Sequence, residues 1–189
     1  MRAMVILLCA VVGGAAGCGG GTGDGGGDAG DEVGDTGDVP AVAYCEPAAR
    51  WSATAASLEA EIVALVNQRR HAGATCGGDA MPPVPPLTAH PALRCAARVH
   101  TRDMADRAFF SHTNPDGGLP WDRMEQAGYP WRAAGENIAA GNASAAATMQ
   151  QWMNSPGHCA NIMNGEFVHI GVGHVEGAAL WTQVFGAPR

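Results

Sequence analysis

The sequence contains no lysine: all 11 of its Lys/Arg cations are arginine. That excludes any mechanism built on a lysine nucleophile, a Schiff base or a phosphate-loop lysine. Charged residues make up only 15% of the 189 positions and the formal net charge is −7, which argues against a basic nucleic-acid-binding surface. No apolar run reaches the ~20 residues needed to cross a bilayer. Also missing are the helical His-Glu-x-x-His pattern of metalloproteases, the Gly-x-Ser-x-Gly nucleophile elbow and any repeat with a period of about 20–50 residues. The 27 glycines are present but unevenly spread. Ten of them, with six acidic residues (Asp24, Asp28, Asp31, Glu32, Asp35, Asp38), lie between Cys18 and Pro40, and residues 41–189 carry a net charge of only −2.

The first 17 residues begin with Arg2, run through the apolar stretch Met4–Val12 and end in small residues, Gly13 to Gly17. This reads as a secretory signal peptide. Ala15-Ala16-Gly17-Cys18 resembles a bacterial lipoprotein processing site, with Ala15 where Leu is usual. Cys18 would then become the lipidated N-terminus, and several acyl chains would anchor it stably at ~0.8 kcal/mol per buried methylene. Cleavage nearby and plain secretion is the alternative. Gly19, rather than Asp, follows Cys18 and favours the outer surface. The Gly/Asp segment cannot bury enough apolar area to offset its ordering entropy. As a flexible tether it spans about 28 Å root-mean-square. The expected organisation is a signal peptide over 1–17, a tether over 18–44, an extension over 45–57 and one domain over 58–189.

Within the domain, Leu58, Ile62, Leu65 and Val66 follow helical spacing with Ser57 as N-cap. After a Pro-rich loop at 81–86, a second helix is expected from Thr88, with Pro91 in its first turn and Leu93, Ala96, Ala97, His100 and Met104 on one face. Pro120 to Ala127 reads as a short helix closed by Gly128, and Ser144 to Asn154 as another. Phe167–Val175 and Leu180–Phe185 are β-rich runs around a hairpin signal. Helices around a mostly antiparallel sheet follow, an α+β fold.

With Cys9 in the leader and Cys18 assigned to lipidation, four cysteines remain. An even number in an exported chain favours two disulfides, with three connectivities open. Cys76–Cys95, stapling the Pro-rich loop to the second helix, and Cys45–Cys159 are the expected pairs. No pair has metal-finger spacing.

Five segments occur in a telling order: Phe110-Ser111-His112-Thr113-Asn114-Pro115-Asp116-Gly117; Gly135-Glu136-Asn137-Ile138-Ala139; Trp152-Met153-Asn154-Ser155-Pro156-Gly157-His158-Cys159-Ala160-Asn161-Ile162; Ile170-Gly171-Val172-Gly173; and Trp181-Thr182-Gln183-Val184-Phe185. Together, over roughly residues 58–186, they resemble the bacterial branch of the CAP/SCP superfamily. The resemblance implies a three-layer α-β-α sandwich with a cleft lined in many members by two His and two Glu. Three of these match His112, Glu136 and His158. The second Glu would fall at Ser155, so one acid is missing.

Two neutral imidazoles, His112 and His158, together with Glu136 could hold a zinc ion and acidify its bound water. Alternatively His112 and Glu136 pair across the cleft wall and fix the loop holding Asn114-Pro115-Asp116-Gly117. Ser155 before Pro156 reads as an N-cap, not a nucleophile. Ser111 and His112 are adjacent, so their side chains diverge. His100 reads as a hydrogen-bonded core histidine, and His71, His90, His169 and His174 as ordinary surface or strand positions. Trp152, Trp181 and Phe185 read as packing residues. The leading functional expectation is a monomeric, non-catalytic envelope module binding a small molecule, lipid, cell-wall fragment or protein, touching membrane only through its anchor. The alternative is a zinc-dependent or general-base hydrolase acting on peptide or cell-wall substrates.

Overall fold

The computed structural model describes residues 39–189. The expected signal peptide, Cys18 and most of the tether lie outside the described residues. After a short 3-10 turn, the elements are α1 (Glu46–Ala49), α2 (Ala53–Ala72), β1 (Ala74–Cys76), β2 (Asp79–Met81), β3 (Thr88–Ala89), α3 (Pro91–Asp106), α4 (Pro120–Gln126), β4 (Trp131–Ala140), α5 (Ala145–Met153), α6 (Pro156–Ile162), β5 (His169–Val175) and β6 (Leu180–Pro188). The main sheet has the order β3-β5-β6-β4. Its β5–β6 and β6–β4 pairings are antiparallel, and only the short β3 runs parallel to β5. Helices pack on both sides, so the α+β sandwich expected from the sequence is what forms.

Side-chain alternation along the strands builds the two interfaces. Phe185 and Trp181 of β6 join Ile62 and Val66 of α2, Met149 and Trp152 of α5 and Ile162 of α6 in one cluster. The neighbouring Val184 points the other way, into a cluster with Leu93, Ala96 and Ala97 of α3 and Met124 of α4. Trp152 and Trp181 are fully buried, and each indole N–H donates to a main-chain carbonyl, of Ile138 and Asn142 respectively. α3 lies directly against β5 because two strand residues have no side chain. A Cβ on Gly171 would come within 2.0 Å of the Leu93 carbonyl carbon, and one on Gly173 within 2.6 Å of Ala97.

Several local boundaries differ from the sequence expectation. α2 begins at Ala53, not after Ser57, because the Ser52 hydroxyl accepts from Ala55 N (3.3 Å) and caps the helix one turn earlier. Thr88 belongs to β3, and α3 starts at Pro91 with the His90 ring accepting from Ala92 N as its cap. Residues 39–57, expected as tether end and extension, contribute buried Cys45, Ala48 and Trp51, and Val39 and Tyr44 pack on the α3 cluster.

The disulfide pairing must be corrected. The bonds are Cys45–Cys95 and Cys76–Cys159, not Cys76–Cys95 and Cys45–Cys159. Cys45 and Cys95 share the α3 cluster, whereas Cys76 and Cys159 share the α2/α5/α6 cluster. The expected pairs would each have had to link the two clusters. The β1–β2 turn instead carries Cys76 towards α6, where Gly77 sits against Pro156.

Candidate functional site

The segment that presents His112 is a loop held by its own polar groups. Asn114 Oδ1 accepts from Asp116 N (3.1 Å) and Gly118 N (2.7 Å), and Arg107 Nη1 donates to Asp116 (2.7 Å). Ser111 Oγ accepts from Thr113 N (3.2 Å), so its hydroxyl is occupied in turn formation. Behind the loop, the fully buried His100 of α3 lies with Nε2 3.0 Å from Ser111 O. The carbonyl can only accept, which puts the proton on His100 Nε2. Burial lowers the His100 pKa to about 4, against an opposing pull from the Glu136 charge.

Glu136 projects from β4, opposite Val184 of β6. Its carboxylate is 2% exposed, whereas the His112 side chain is 48% exposed. His112 Nδ1–H donates to Glu136 Oε1 (2.8 Å), and Arg123 Nη2 donates to Oε2 (2.8 Å). Arg123 also donates to His112 O (2.9 Å) and Gly118 O (3.1 Å), tying α4 to the loop. His100 Nε2 stands 3.9 Å from Glu136 Oε1. The outcome is a buried Arg–Glu pair that orients one half-exposed imidazole. With its Nδ1–H committed to the carboxylate, the half-exposed His112 ring keeps Nε2 outside this contact.

His158, from α6, is half-buried, and its Nδ1 is buried without a hydrogen-bond partner. Burial lowers its pKa and so does the charge of His112, so the two rings lie within electrostatic reach of each other. Its carbonyl accepts from Asn137, the residue after Glu136, and Asn137 Oδ1 accepts from Asn161 Nδ2 (2.9 Å). The motifs around Glu136 and His158 are therefore joined by a ladder of side-chain amides. Ser155 occupies the N-cap position of α6 before Pro156, with extended backbone and no capping bond from its hydroxyl.

A zinc site with three protein ligands does not fit these residues. Both Glu136 oxygens are engaged, one by a guanidinium that would compete with any cation, and only two imidazoles remain. Among the described residues, no group of three or more His, Cys, Asp or Glu side chains is arranged to hold a metal ion. Asp116 is likewise committed to Arg107.

A family model, the cysteine-rich secretory protein family (CAP), matches residues 63–185. The chain belongs to the CAP family. A curated relative, an uncharacterized protein, YkwD, from Bacillus subtilis, is 44% identical over 100 residues, covering 53% of this chain and 39% of that protein. This CAP chain thus spans about two-fifths of that relative's length. An SCP-domain extracellular protein from Bacillus anthracis superposes with a TM-score of 0.60 at 32% identity, over 69% of this chain and 40% of that one. An outer surface protein from Borrelia burgdorferi gives 0.57 at 18% identity, over 71% and 92%, a likeness of fold alone.

Within the CAP domain, Arg123 is the residue that sequence reasoning missed. It lies in a helix whose neighbours read as ordinary amphipathic pattern, and nothing local marks it as the partner of Glu136. Of the other histidines, His169 and His174 are strand positions of β5, as expected, with contacts that the sequence did not show. His174 is buried and stacks on Trp181 with ring centroids 3.6 Å apart. His90 and His169 are half-buried and cluster with Tyr129, whose hydroxyl is 2.9 Å from His169 Nδ1. His71 is exposed, as expected.

Proposed function

We propose that this protein is an exported CAP-domain lipoprotein, anchored through Cys18 at the outer surface, whose His112, Glu136 and His158 form a non-catalytic ligand-binding site. Two disulfides in the fold fit an oxidising compartment, and the extracellular relative from Bacillus anthracis supports the same location. No helix among the described residues is long and apolar enough to cross a membrane. One observation carries the binding reading: the Glu136 carboxylate is spent on His112 and Arg123. Each oxygen already accepts a charge-assisted bond and the side chain is 2% exposed, which keeps it away from a substrate proton. What faces solvent is the half-exposed His112 ring, a hydrogen-bonding edge that recognises a polar group on a ligand.

The same His112–Glu136 contact also favours a second reading, hydrolysis with His112 Nε2 as general base, because a carboxylate that accepts from Nδ1–H fixes the ring's orientation and leaves Nε2 to take the proton. Native mass spectrometry of the chain recovered from its host envelope separates the two. Binding predicts a co-purified species that His112→Ala and His158→Ala both release, with no turnover of cell-wall peptides. Turnover that His112→Ala abolishes establishes the hydrolase instead. A co-purified species indifferent to both substitutions rejects the site altogether. Cys18→Ala is expected to move the protein from the membrane fraction to the medium.

A further inference from the structure

The surroundings of the Glu136 carboxylate include a residue from outside the span that the family model covers. Tyr44 lies in the 3-10 turn Ala43–Cys45, ahead of residues 63–185. The Cys45–Cys95 bond pins this turn to α3. The Tyr44 ring packs on the cluster that holds Ala96 and Ala97 of α3 and Met124 of α4. Arg123 is the chain neighbour of Met124, and His100 follows Ala96 by one helical turn. The N-terminal segment is thereby held against both helices that contribute to the floor of the histidine site.

Three side-chain atoms of these residues are buried without a hydrogen-bond partner: Tyr44 Oη, His100 Nδ1 and Arg123 Nε. They belong to groups gathered around one carboxylate. The other ring nitrogen of His100 stands 3.9 Å from Glu136 Oε1, and Arg123 Nη2 donates to Oε2 (2.8 Å). Burial raises the Tyr44 pKa, and the charges of Arg123, Asp103 and Glu136 all act on its hydroxyl. The three atoms differ in hydrogen-bonding character. Arg123 Nε–H only donates, His100 Nδ1 only accepts because Nε2 carries the proton, and a hydroxyl does both. Leaving such groups unpaired in the interior is costly, and folded proteins pair them.

We propose that Tyr44 is a positioning residue of the histidine site, and that its hydroxyl, Arg123 Nε and His100 Nδ1 together bind one internal water. The water accepts from Arg123 Nε–H, donates to His100 Nδ1 and makes its third bond with Tyr44 Oη, within the roughly two to four partners of a buried water. Water suits these atoms where an ion does not: the guanidinium repels a cation, and His100 Nδ1 offers an anion no proton. Arg123 already donates through Nη1 to Gly118 O and through Nη2 to His112 O and Glu136 Oε2. Fixing Nε as well locks the guanidinium plane, which holds the carboxylate that orients His112. Tyr44 thus acts through Arg123. This role rests on the reading of His112, Glu136 and His158 as the binding site.

The test is NMR of the full chain, following Arg123 Nε–H and the His112 ring nitrogens in the parent, in Tyr44→Phe and in Val39→Ala. Tyr44→Phe keeps the ring and removes only the oxygen. Solvent exchange of Arg123 Nε–H is expected to quicken by about tenfold in this variant, and the His112 ring signals to move. Val39→Ala trims another residue packed on the same cluster and is expected to leave both sets of signals as in the parent. Unchanged signals in Tyr44→Phe overturn the proposal. Equal changes in Val39→Ala overturn it too, by making Tyr44 a packing residue only. Should Tyr44→Phe not fold, a high-resolution crystal structure of the parent decides. Density for one water within hydrogen-bond reach of all three atoms is expected, and a Tyr44 hydroxyl turned to bulk solvent overturns the proposal. A parent chain that carries no co-purified species rejects the binding reading while leaving these signals, and the placement of Tyr44, intact.

Discussion

Both oxygens of Glu136 are taken, one by His112 and one by Arg123, and this is what lets a carboxylate lie buried beneath the loop without an uncompensated charge. His100 completes that buried floor, and its environment makes stability depend on pH. Its pKa is about 4 in the fold against an ordinary 6.5, so the unfolded chain takes up the proton first as pH falls. The contribution of His100 to stability is full above about 6.5, declines between about 6.5 and about 4, and is level below. The loss reaches on the order of 3 kcal/mol. Burial also lowers the pKa of His90, His158 and His174, which adds loss of the same sign. Urea unfolding at about pH 7.5 and about pH 5 checks this: the drop should shrink in His100→Gln, and an equal drop excludes His100 as its source. The partners of the site were unevenly legible at this scale. His112 and Glu136 stand in compact motifs, and His100 reads as a core histidine from its helical face. Arg123 gives no such signal, because its meaning arises only when α4 closes over β4.

Elements were legible where a local device sets them. The α5 start follows from Ser144, whose hydroxyl accepts from Ala147 N, and the β5–β6 hairpin from two β-rich runs around a turn. β3 was hidden because two residues carry no periodicity, and its pairing with β5 arises only from tertiary contact. Gly171 and Gly173 are the decisive positions at this scale, since they let α3 and β5 touch backbone to backbone. Gly171→Ala is expected to cost more than about 4 kcal/mol or to prevent folding, an overpacking penalty without room for relaxation. Gly177→Ala, where a Cβ meets nothing within 4 Å, should stay within about 0.5 kcal/mol of the parent. Thermal melts of the two variants side by side provide the comparison.

At the scale of the molecule, the class of fold was readable from the order of helices and strands, but the connectivity of the cysteines was not, because four thiols allow three pairings and only the layers choose among them. Each disulfide closes one side of the sheet. With loops of 50 and 83 residues, loop-closure entropy assigns them about 4 and about 4.5 kcal/mol. Removing either bond by paired Cys→Ala substitution is therefore expected to lower stability by similar amounts. Peptide mapping without reduction should recover only Cys45–Cys95 and Cys76–Cys159 linked fragments, and a Cys76–Cys95 fragment would contradict the layered arrangement.

The Cys45–Cys95 bond has a mechanical corollary. Any tension from the N-terminal side that reaches Cys45 passes through a covalent link straight into the N-terminal third of α3. Residues 46–94 sit inside a closed ring, shielded from the load, so such a pull cannot peel α1 and α2 away one turn at a time. The force must instead act on the best-packed helix of the domain, along the glycine-lined seam that holds it to β5.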